Sequence, residues 1–112
     1  MISRCYVAII ICIAFIACHQ TPAGKAPAVV ASGQMPSLAT DNAGNLQMVY
    51  GSGDSILTTS SDNRGNTFSA TTLVAILPNL TASHTRGPQI ARTSGGWVVT
   101  ACNKNGDIFS YS

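Results

Sequence analysis

The sequence predicts an all-β chain: one four-stranded sheet and most of a second, behind an export leader and a flexible tether. Three observations carry this. Short runs rich in Val, Ile, Thr and Tyr alternate with clusters of Gly, Asn, Asp and Ser, and no amphipathic helix interrupts them. An internal repeat sets Pro36–Ser60 against Pro88–Ser112 without a gap, at an offset of 52 residues. The stretch Ser61–Phe68, Ser-Asp-Asn-Arg-Gly-Asn-Thr-Phe, gives a turn-forming or anchoring role to every position.

The leader is residues 1–17. Arg4 supplies a charged start, and Tyr6 to Ala17 is an unbroken apolar run of about a dozen residues, too short to cross a hydrocarbon core of about 30 Å as a helix. Phe15-Ile16-Ala17-Cys18 resembles a bacterial lipobox, with Phe15 where Leu is usual. The resemblance implies that residues 1–17 are a lipoprotein signal peptide and that Cys18 is the lipidated first residue of the mature chain. Its partner is then a membrane of the bacterial cell envelope, with each acyl chain contributing about 0.8 kcal/mol per buried methylene. The rival reading is cleavage after a small residue such as Ala23, leaving a soluble exported protein. Residues 18–34, rich in Pro, Ala, Gly and Ser, read as the tether. With Cys5 and Cys12 removed and Cys18 lipidated, Cys102 is left alone, so neither a disulfide nor a Cys-x-x-Cys metal site is expected.

The first repeat unit covers residues 35–77. Pro36 fixes the entry, and strands are expected at Ser37–Thr40, Leu46–Tyr50, Ser55–Ser60 and Ala70–Leu77, where Pro78 stops the last. Asp41-Asn42-Ala43-Gly44-Asn45 and Gly51-Ser52-Gly53-Asp54 are the intervening turns. No glutamate follows Asp41 at the spacing of a calcium loop, which makes this a plain turn. Asn79–Gly87 bridges to the second unit, residues 87–112, with strands at Gln89–Arg92, Trp97–Cys102 and Asp107–Tyr111. His84 has no acidic or cysteine neighbour and reads as a surface histidine. The gap-free repeat sets Cys102 opposite Tyr50, as a small buried apolar residue. Leu46, Val49, Ile56 and Leu57 make the first sheet apolar on both faces, so it needs a neighbour on each side.

Ser61, Asn63, Gly65, Thr67 and Phe68 resemble the Asp-box, or BNR repeat, of sialidase-like β-propellers, Ser-x-Asp-x-Gly-x-Thr-Trp or Phe. Asn63 stands where the family has aspartate, keeping an acceptor oxygen and dropping the charge. In the family the box is structural and joins the third and fourth strands of a blade. The resemblance therefore implies an incomplete β-propeller of about one and three-quarter four-stranded blades, while the residues themselves have Thr67 and Phe68 restart a strand and the Phe68 ring, buried, pin the loop onto what lies beneath it. Closed propellers have about four to eight blades, so the missing ones are expected from a longer chain, of which this is an N-terminal fragment or relic, or from other copies.

Sialidases, as a family, bind the substrate carboxylate with three arginines, attack with a tyrosine activated by a glutamate, and use an aspartate as general acid. Arg86-Gly87-Pro88-Gln89-Ile90 resembles their Arg-Ile-Pro-x-Leu motif, with Gly87 in place of Ile, which implies Arg86 as a carboxylate-binding residue. All four acidic residues are aspartates, so the activating glutamate is absent and no catalytic residue is assigned. Two expectations of different classes follow: a membrane-anchored, non-catalytic module binding a glycan or an envelope protein, or the N-terminal piece of an exo-α-sialidase that cleaves terminal sialic acids. Past the leader, Lys25, Arg64, Arg86, Arg92 and Lys104 nearly balance Asp41, Asp54, Asp62 and Asp107 with no basic stripe, and nucleic acid is not an expected partner. No cofactor or metal is expected.

Overall fold

The computed structural model describes residues 24 and 26–112; the leader, Cys18 and the start of the tether lie outside the described residues. The described chain is all-β. Its first sheet has the order β1(Gln34–Thr40), β2(Leu46–Ser52), β3(Ser55–Ser61), β4(Thr72–Ile76), and its second β5(Gln89–Thr93), β6(Gly96–Cys102), β7(Ile108–Tyr111). Every neighbouring pair is antiparallel, which the short hairpin turns of all but the β3–β4 pair require.

Because alternate residues of a strand point to opposite faces, the pairing registers define the faces. On the inner face of the first sheet Ser37, Val49 and Thr58 lie in one row, and Gly51, Ile56 and Ala75 in another. On its outer face are the rows Leu38, Met48, Thr59 and Tyr50, Leu57, Leu73. The second sheet turns Ile90, Val99 and Tyr111, with Ala101 and Phe109, toward the first; Ala91, Val98, Cys102 and Ile108 face the other way. The core lies between the sheets. Val49 and Ile56 are wholly buried against Val99 and Ala101, with Leu77 after β4 and Leu80 and Ala82 from the bridge added to them. Each such aliphatic side chain contributes about 1.5–3 kcal/mol when taken fully from water. Gly51 makes room for the bridge: a Cβ there would stand 2.5 Å from the Ala82 Cβ.

The repeat holds in space, but not without gaps. Leu38 pairs with Met48, whereas its counterpart Ile90 pairs with Val99 and not with Thr100. The cause is an exchange of turn lengths. Asn42–Gly44 loops out between Asp41 and Asn45 in the first sheet, where the second has only Ser94 and Gly95 between Thr93 and Gly96. At the next turn Gly53 and Asp54 are matched by the longer Lys104–Gly106. Strand β6 is thereby set back one place relative to β2, and Ala101, not Cys102, is the counterpart of Tyr50. Cys102 is half-buried on the outer face, not buried as expected of its small apolar side chain.

The two longer turns share one construction. Asp41 Oδ1 accepts the N–H groups of Ala43 and Asn45, both at 2.9 Å, and Asn103 Oδ1 accepts those of Asn105 and Asp107, both at 3.0 Å. Gly44 (φ 84°) and Gly106 (φ 92°) supply the left-handed residue that each turn needs.

Thr67 and Phe68 do not restart a strand. The chain first folds back on β3, with the Ser69 N–H on the Ser60 carbonyl at 2.7 Å and the Thr59 hydroxyl on the Ser69 carbonyl at 2.7 Å, so β4 begins only at Thr72.

Candidate functional site

The stretch Ser61–Phe68 leaves the end of β3 as a loop closed by its own side chains. The Ser61 hydroxyl donates to Asn63 Oδ1 at 2.9 Å and accepts the Gly65 N–H at 2.8 Å. Asn63 Oδ1 also accepts the Thr67 N–H at 2.9 Å, while Asn63 Nδ2 donates to the Thr67 hydroxyl at 2.7 Å. Asn63 thus bonds its own backbone four residues on. Arg64 (φ 60°) and Gly65 (φ 84°) take two consecutive left-handed conformations, which bring the chain round tightly enough for these bonds to form. A Cβ on Gly65 would approach Leu46 Cδ1 to 3.0 Å, so any side chain there would also have to push the end of Leu46 aside. Ser61 is 2 % exposed, and its hydroxyl meets its bonding capacity within the loop.

Phe68 is half-buried and does not join the core between the sheets, in contrast to the expected buried ring. It borders an open hollow whose far side is the segment Ala26–Val30. From there the segment runs back across the outer face of the first sheet, over Met48, to Gly33, which lies against the Tyr50 ring with no room for a Cβ.

Arg86 sits in the bridge, exposed, at the end of a tight turn in which Ser83 and Arg86 exchange backbone hydrogen bonds of 2.9 and 3.2 Å. Its neighbour Gly87 is fixed by packing. A Cβ there would collide with the Cβ of Met35, which is held at φ 51° in a bulge of β1. The Ile of the sialidase motif therefore has no space at this position.

A second arginine was not singled out from the sequence. Arg92 and Trp97 are direct cross-strand partners, and the guanidinium carbon lies 5.1 Å from the ring centroid. Arg92 also borders a hollow of about 490 Å³ at the junction of the two sheets, with Asp41, Asn42, Ala43, Thr93 and Ser94. The signal was the turn Thr93-Ser94-Gly95-Gly96, which brings Arg92 and Trp97 face to face once its two-residue length is known. Asp41 is held below the ordinary carboxylate range by the Asn45 side-chain amide first, then by backbone N–H groups, with a contribution from Arg92.

Among the described residues, neither tyrosine is part of an acid–base pair. The Tyr50 hydroxyl is 2.7 Å from that of Thr71, and Tyr111 packs against the core. Among the described residues no three His, Cys, Asp or Glu side chains gather as metal ligands. No family model, no curated protein and no solved structure matches this chain.

Proposed function

We propose that the chain is part of a sialidase-like Asp-box β-propeller, held at the bacterial cell envelope by a lipid on Cys18, and that it serves as a non-catalytic binding or scaffold module for a glycan or an envelope protein. The observation that carries this reading is the loop Ser61–Thr67, where Ser61, Asn63 and Thr67 bond one another and the loop backbone. Such a loop fastens a sheet, and its Ser61, Asn63 and Thr67 side chains are taken up in holding it together. Two features support it. The sheets stack through different faces, as successive blades do, and the chain holds no glutamate to activate a tyrosine.

The second reading, an exo-α-sialidase fragment, is favoured by Arg86, whose exposed guanidinium suits a carboxylate. One pair of measurements separates the two: turnover of a fluorogenic sialoside by the exported chain, and its retention on immobilised glycans and envelope extracts. Retention without turnover is expected. Any turnover that Arg86→Ala abolishes moves the assignment to the hydrolase.

A further inference from the structure

The two sheets meet through faces that are not equivalent, so the same contact can be made again. The packed face of the second sheet, Ile90, Val99, Ala101 and Phe109, corresponds through the repeat to Leu38, Met48, Tyr50 and Leu57, the outer face of the first. In the other direction the outer face of the second sheet, with Thr100, Cys102 and Ile108, corresponds to Val49, Gly51 and Ile56, the packed face of the first. Burial shows which of these contacts is unmade: Ile56 is 0 % exposed and its counterpart Ile108 is 80 %, while Leu38 and Leu73 are 52 % and 55 % exposed. Neither outer face carries a charged strand residue.

The segment ahead of β1 completes the match. At the repeat offset, Ala28 and Val30 correspond to Leu80 and Ala82, the bridge residues that fill the space between the sheets. Leu80 and Ala82 are 5 % and 8 % exposed, whereas Ala28 is exposed and Val30 is 44 % exposed. The first sheet therefore carries its own wedge, laid over its outer face and waiting for an opposing sheet.

We infer that this opposing sheet is the second sheet of another copy of the chain, so that copies associate head to tail and bury Val30 and Leu38 of one against Cys102 and Ile108 of the next. The inference rests on the stacked-sheet part of the function proposed above, and names its partner. Such an interface is heterologous: it closes a ring if the rotation between sheets permits, and otherwise extends.

The intramolecular contact supplies a test at a single pair of atoms. Gly51 meets Ala82, so Cys102 of one copy should meet Val30 of the next. This pair is bulkier and the copies stand further apart there, toward the roughly 3.5–4.5 Å between Cβ atoms that a disulfide spans. The chain with Cys5, Cys12 and Cys18 replaced by Ser, so that Cys102 is its one native cysteine, and bearing Val30→Cys, treated with diamide and run without reductant, is expected to give dimers and a ladder above them. Adding Cys102→Ser should remove the ladder, and Ile108→Asp should reduce it at least tenfold while leaving the β-sheet circular dichroism of the chain in place. The wild-type mass in light scattering should rise with concentration.

A wild-type chain that remains monomeric at high micromolar concentration overturns the inference, as does a Val30→Cys ladder that persists without Cys102. Recovery of the chain only with a larger protein that contributes the opposing sheet also overturns it. Glycan and envelope binding is read separately, so all three results leave the binding-module reading standing.

Discussion

Ser37 and Gln89, which occupy the same place in successive repeats, are joined to each other: the Ser37 hydroxyl lies 3.3 Å from Gln89 Oε1 and accepts the Ile90 N–H at 3.3 Å. The leading strands of the two sheets therefore run side by side at one edge of the stack. From that edge the sheets share a core whose two exposed counterparts, Ile108 and Leu38, mark where the pattern would continue.

Equivalent isoleucines should differ sharply in cost. Ile56→Ala empties a wholly buried site and is expected to destabilise the chain by about 2–5 kcal/mol, whereas Ile108→Ala, on an exposed site, should change it by less than about 0.5 kcal/mol in dilute monomer. Urea midpoints of the two variants at low concentration check this, and equal losses would contradict the assignment of faces.

Gly87 is expected to reject even a methyl group. Gly87→Ala places a Cβ on that of Met35 and should cost about 1–3 kcal/mol. Met35→Gly removes the opposing atom and suits the positive φ at that position, so the double variant should recover most of the loss. A double-mutant cycle in thermal melts gives the coupling; additive losses would show that the two sites do not touch.

The loop Ser61–Phe68 should tolerate aspartate and not alanine at its centre. Asn63→Ala removes bonds to Ser61 and Thr67 and is expected to lower stability by about 1–2 kcal/mol. Asn63→Asp keeps the acceptor, and the Thr67 hydroxyl can turn to donate, so at neutral pH the change should lie within about 0.5 kcal/mol. Melting temperatures of both variants decide.

Acid sensitivity at the first turn follows from Asp41. Its carboxyl is depressed from the ordinary 3.8, so its ionised form contributes stability above that value, and the contribution is lost as pH falls through the lower, folded-state value. Stability measured between neutral pH and about pH 2 should drop more steeply for wild type than for Asp41→Asn, which has no charge to lose. Parallel pH profiles would show that the turn does not depend on the charge.

The strands were legible because their signals are local. Gly44 and Gly53 punctuate the first sheet, Pro78 stops β4, and strand boundaries fall within one to three residues of those expected. The network of Ser61, Asn63, Gly65 and Thr67 could also be read, because it is made within eight consecutive residues. What the sequence concealed depends on where turns place their neighbours. Phe68 has no burial signal of its own, and its surroundings are set by the returning segment Ala26–Val30. Arg92 and Trp97 become partners only once the turn between them is two residues long. Cys102 was set opposite Tyr50 because its counterpart was counted along the chain and not across the ladder.

That miscount has a practical side. Anyone grafting β2 into the place of β6 by residue number would rotate its apolar side to the wrong surface, since one missing residue at one hairpin and one extra at the next invert every side chain between them. A transplant must take both hairpins with it, or neither.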